Sequence, residues 1–143
     1  MLTFRHPIAE LLHSTAQGLE SMVTSSAKVV RLVWAICLLI GTGFHMVDFF
    51  RSGGAYPGYP LGTVVFWNAL TVLDPLAATL LFWRPRLGVL STLAIILSDV
   101  SHNVWAVATY DAMVWPVAMQ AAFLVFVLAT AHLIWRDSWA QEA

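Results

Sequence analysis

Little in this chain is charged. Asp, Glu, Lys and Arg make up 10% of its 143 residues, where a soluble domain carries about 25%. With 59% of residues hydrophobic and a mean hydropathy of +0.76, no large soluble catalytic domain fits into the length. The net charge is only -1, and neither a basic stripe nor a Gly-rich phosphate loop occurs, so no nucleic-acid partner is expected. Cysteine is nearly absent too. Cys37 stands alone in an apolar run, which excludes an internal disulfide and is silent on redox compartment. HExxH and Cys-rich metal signatures are missing, as is the alternating pattern of barrel strands.

Long apolar runs are what the chain does have. They extend from Lys28 to Phe50, Gly62 to Trp83, Leu87 to Thr109 and Met113 to Trp135. Each has the roughly 20 residues that a hydrocarbon layer of about 30 Å requires of a helix. Only helices satisfy their backbone groups within such a segment. An all-α, up-down bundle of four transmembrane helices is therefore expected over residues 28–143, joined by short links at Arg51–Leu61, Arg84–Arg86 and Tyr110–Asp111. Residues 1–27 differ. Phe4, Ile8, Leu11, Leu12, Leu19, Met22 and Val23 recur at helical spacing between Arg5, Glu10, Gln17 and Glu20, which predicts an amphipathic helix lying at the membrane surface. No compact basic region with a following cleavage site marks a signal peptide there.

Basic residues orient the bundle. Arg5, Lys28, Arg31, Arg84, Arg86 and Arg136 fall on the side of both termini, and Arg51 alone falls opposite. The positive-inside rule then predicts a multi-pass cell-membrane protein with cytoplasmic termini. Trp34, Trp67, Trp83, Trp115 and Trp135 lie near the ends of the runs, as in an interfacial aromatic belt.

Polar side chains interrupt the apolar runs at His45, Asp48, Asn68, Asp74, Asp99, His102, Asn103 and Gln120. Each is costly in hydrocarbon unless it faces protein or water, so together they are the candidate ligand-binding residues. At about 1.5 Å rise per residue, His45, Asn68, His102, Asn103 and Gln120 fall roughly 7 to 11 Å from the end opposite the termini, and Asp74 and Asp99 roughly 15 to 18 Å. Asp48 sits at the mouth and His132 outside the layer. The spacings 45/48, 71/74, 99/102 and 99/103 each share a helix face, so the predicted arrangement is a pocket or funnel open away from the termini. Small residues at Gly41, Gly43, Ala77 and Ala78 allow close helix packing or leave room for a ligand.

Several chemistries suit these residues. Acids and imidazoles can receive a small lipophilic or cationic ligand or a proton. They can also perform acid–base catalysis, with Asp74 or Asp99 exchanging protons beside His45 or His102. His45, Asp48, Asp99 and His102 offer nitrogen and oxygen donors for a metal, and His45 with His102 offers axial ligands for haem, although the adjacent acids ill suit an apolar porphyrin. Each side chain also has a purely structural reading. Amides commonly tie membrane helices together, and Asp74, preceding Pro75, can cap a local helix break.

The segments GTGFHMVDFFRSGG, VLDPLAATLLFWRPRLGVL and SDVSHNVW together resemble small four-helix bacterial integral membrane proteins. In architecture the chain looks like DoxX-like proteins and, more remotely, like the sterol isomerase and sigma-2 receptor family. That resemblance implies acidic residues in a membrane cavity and a lipophilic ligand. It names no cofactor, reaction or oligomeric state, and leaves a structural membrane subunit as an alternative. The orientation has a direct test. Alkaline phosphatase fused after Ala143 should be inactive, and the same reporter in the Arg51–Leu61 loop active; the reverse pattern would invert the topology.

Overall fold

The computed structural model describes residues 7–110 and 112–142, and these form four helices: α1 Pro7–Ser52, α2 Leu61–Trp83, α3 Pro85–Tyr110 and α4 Val114–Glu142. Phe4, Arg5 and Asp111 lie outside the described residues. All four helices are long and apolar enough to cross a membrane. The 23 residues of α2 already reach about 35 Å, against a hydrocarbon thickness of about 30 Å.

Local chemistry sets the breaks. After Ser52 the chain turns through Gly53, Gly54 and Gly58 at φ of 62°, 72° and 92°, a region costly for side chains with a Cβ. Pro60 then precedes α2 in extended conformation. Between α2 and α3 only Arg84 intervenes, its N–H donating to the Leu80 carbonyl at 2.8 Å. Pro85 opens α3 at the position where a missing N–H costs nothing.

The helices form a ring in which α1 and α3 each pack against α2 and α4, while among the described residues the backbones of the diagonal pairs stay apart. Cross-contacts run in opposite order along neighbouring helices. Arg31 meets Asp137 and Trp34 meets Thr130; Asn103 meets Gln120 and Arg86 meets Ser138. Neighbours are therefore antiparallel, as the short links predict. The half of the bundle near the termini holds an apolar core of Trp34, Leu38, Leu81, Val89, Val127 and Ile134, whereas polar side chains gather in the other half.

Two expectations change. The amphipathic segment is not separated from the first span: α1 is one continuous helix of 46 residues. Nothing between Thr24 and Lys28 breaks it, because Ser and Ala tolerate a helix interior well. Ile8, Leu11, Leu12, Leu19 and Met22 are exposed along this extension, and Ala27 is the first fully buried apolar residue. The aromatic belt also loses a member. Trp34 is fully buried and donates from Nε1 to Thr130 Oγ1 at 3.0 Å, satisfying its one polar atom within the core, while Trp83 and Trp115 remain exposed.

Gly88 sets the α2–α3 approach, since a Cβ there would collide with the backbone of Leu80 and Leu81. Backbone cannot yield as a flexible side chain can. Gly88→Ala is expected to destabilise by about 1–3 kcal/mol, read as a lower unfolding temperature in mild detergent. Gly43→Ala, which meets open space, should leave that temperature unchanged or raise it.

Candidate functional site

Every helix contributes to the polar half. On α3, Asp99 is 5% exposed and accepts a hydrogen bond from Asn103 Nδ2 at 2.8 Å. Asn103 also donates to Gln120 Oε1 of α4 at 3.0 Å and accepts from Trp67 Nε1 of α2 at 3.0 Å. One amide thus joins three helices. All the groups in this network find partners, as buried polar atoms must when no water reaches them.

Asp74 is different. It is 4% exposed and turns from α2 toward α1, where a Cβ at Gly41 would lie 3.1 Å from Oδ2. His45 Nε2 stands 4.0 Å from the same oxygen, beyond hydrogen-bond length. Among the described residues, no hydrogen bond reaches the Asp74 carboxylate, and Asp99 is near enough for the two like charges to interact. Helix α2 continues through Pro75, so Asp74 does not cap a break. Pro75 does withhold an N–H from the Thr71 carbonyl one turn earlier. A further turn back, Asn68 Nδ2 donates to the Gly54 carbonyl at 2.9 Å while its Oδ1 is buried with no donor.

The remaining expected residues separate from this centre. Asp48 is exposed. His102 does not pair with Asp99; its ring packs among Phe66, Trp105 and Trp67 at centroid distances of 4.8, 5.3 and 5.9 Å, with Nε2 buried and unpartnered. The ring is half-buried among these aromatics, away from Asp99. The metal set His45, Asp48, Asp99 and His102 does not assemble, and among the described residues no group of three His, Cys, Asp or Glu side chains is placed to hold a metal ion.

The expected mouth is covered. Tyr56 and Tyr59 of the α1–α2 loop pack on Trp67 at 5.3 and 4.9 Å, and Tyr59 meets Tyr110 at 5.1 Å. Burial, with the Asp48 carboxylate adding to it, pushes the Tyr56 phenol above its ordinary pKa, so that hydroxyl stays uncharged at neutral pH.

A second polar group was not anticipated from the sequence. Arg31 and Asp137, both buried, form an ion pair of 2.5 Å between α1 and α4. Arg86 donates to Ser138 Oγ at 3.4 Å and lies 3.7 Å over the Trp139 ring. Arg31 and Arg86 therefore act inside the bundle as well as at its rim. The signal was helical spacing: Ala27, Arg31, Trp34 and Leu38 form one buried stripe, which carries Arg31 inward.

No family model, curated protein or solved structure matches the chain.

The Asn103 network yields a stability test. Asn103→Leu removes three hydrogen bonds at an average of about 0.6 kcal/mol each, so a loss of about 2 kcal/mol is expected in detergent unfolding. Asp99→Asn retains a hydrogen-bonding group and should lose less than half as much. Equal losses would show that charge, and not hydrogen bonding, holds these helices.

Proposed function

We propose that this chain is a multi-pass cell-membrane protein with cytoplasmic termini that binds a small lipophilic cation at Asp74. One observation carries the reading: a buried carboxylate that receives no hydrogen bond. Such a group is stable in hydrocarbon only when a proton or a cation neutralises it. Two other acceptors lie within two turns of it along α2. Asn68 Oδ1 has no donor, and the Thr71 carbonyl has lost its helical one to Pro75. A ligand bringing positive charge complements the Asp74 carboxylate, and the apolar helices around it favour a lipophilic body.

His45, 4.0 Å from Asp74, is the neighbour that a bound cation would displace or a proton would bridge. Asp99 has a scaffold role in this reading, because Asn103 already satisfies it. The DoxX-like resemblance contributes the architecture, and the remoter likeness to the sterol isomerase and sigma-2 receptor family the expectation of a lipophilic ligand.

Tetraphenylphosphonium and tetraphenylborate share size and shape and differ in the sign of charge, so they isolate the electrostatic requirement. The cation should raise the unfolding temperature of the purified protein and the anion should not. At a hundred times its dissociation constant the expected stabilisation is about 2.7 kcal/mol. Asp74→Asn should abolish the effect and Asp99→Asn should keep it. Equal stabilisation by both probes, or full stabilisation of Asp74→Asn, would defeat the proposal.

A further inference from the structure

Over residues 7–26, α1 extends for about 30 Å before Ala27, its first fully buried apolar residue. The apolar side chains of this stretch are exposed and regularly placed. Ile8, Leu12, Leu19 and Met22, with Thr15 and Ser26 completing the series, follow one another at alternating steps of four and three residues, the spacing of a coiled-coil seam. The two hydroxyls make no demand on a partner. Thr15 Oγ1 donates to the Leu11 carbonyl at 2.8 Å and Ser26 Oγ to the Met22 carbonyl at 3.0 Å, so each is satisfied within its own helix. Leu11 and Val23 widen the stripe, while His13 and Gln17 hydrogen-bond to each other at 3.1 Å on the far face. The same steps continue into the span as Val29, Val33, Ile36 and Ile40. All four are exposed and lie on the side of α1 away from the buried stripe of Ala27, Arg31, Trp34 and Leu38.

We infer that this face of α1 is the seam of a parallel homodimer, covered by the same face of a second copy of the chain. The inference rests on the membrane reading of the four helices and is independent of the cation site at Asp74. Two copies that cross one membrane in one orientation present their α1 extensions side by side, and a self-complementary face then closes on its twin. Charge and continuity select this occupant over a lipid surface. Residues 7–27 include Glu10 and Glu20 but no Lys or Arg, whereas a helix bound flat on a bilayer is rich in basic residues on its polar face. A flat helix would also have to break between Val23 and Lys28 to enter the span, and α1 is continuous there. The area suffices. Burying an apolar side chain of this size hides about 60–120 Å², so the stripe from Ile8 to Ile40 supplies roughly 600–1,200 Å² per copy, against about 800 Å² per partner in a stable complex.

The test uses the full chain in native membranes, with Cys37, its one thiol, replaced by Ser. Leu12→Cys and Leu19→Cys, each in that background, should form a disulfide-linked dimer under copper phenanthroline, because a parallel seam sets each position opposite its own copy. Gln17→Cys on the far face should give about a tenth of that yield or less, its thiols standing beyond disulfide reach. In mild detergent, native mass spectrometry should show wild type as a dimer. Leu19→Lys changes an exposed side chain outside the core, so its helical circular dichroism should persist while its dimer dissociation constant rises about a hundredfold. A wild type that is monomeric or larger than a dimer, equal cross-linking at Leu19→Cys and Gln17→Cys, or an unchanged dimer in Leu19→Lys would overturn the assignment. So would leucine-site cysteines that fail to cross-link while the bilayer shields them from a water-soluble maleimide, the result expected of a helix lying on lipid.

Discussion

Hydrocarbon solvates neither a charge nor an unpaired amide, and that constraint organises the polar atoms of this bundle. Arg31 is neutralised by Asp137 across the α1–α4 seam, and Trp34 spends its single N–H on Thr130. In the other half, Asn103 serves Asp99, Gln120 and Trp67 together. Breaking one partner of a buried pair strands the other, at a cost of about 3–5 kcal/mol. Each group is thus kept by the expense of losing its neighbour. Asp74 departs from this pattern: among the described residues no hydrogen bond reaches its carboxylate, and His45 Nε2 stands 4.0 Å away.

The two halves of the bundle differ in what fills them. Large apolar side chains fill most of the terminal half, closely packed, with the buried Arg31–Asp137 pair among them. In the opposite half, polar residues from all four helices replace them, and three tyrosines with Trp67 close the end. Gly41 is the junction. Lacking a side chain, it admits the Asp74 carboxylate against the backbone of α1, so the acid can reach across the interface without forcing the helices apart.

Much of this was legible from residue types and spacing. Four apolar runs became four helices, because length and hydropathy are strong signals when solvent is excluded. Counting residues inward from the helix ends also placed Asn103 and Gln120 at one depth, and they hydrogen-bond. Partner choice was less legible. A helical wheel gives the face of a residue but not what stands opposite, so Asp99 and His102 looked like a pair while one turns to an amide and the other to aromatic rings. Trp34 and Trp83 are the same residue type near span ends, yet one is core and one exposed. Arg31 read as a rim charge because charge outweighed the buried stripe on which it lies.

The unbroken course of α1 has a geometric consequence. At about 1.5 Å per residue, its 46 residues form a rod of about 69 Å, more than twice the hydrocarbon thickness of about 30 Å. Its first turns and His45 belong to one continuous helix, with no proline between Ile8 and His45 to break it. The exposed turns near Ile8 and the imidazole beside Asp74 thus sit at opposite ends of one unbroken helix.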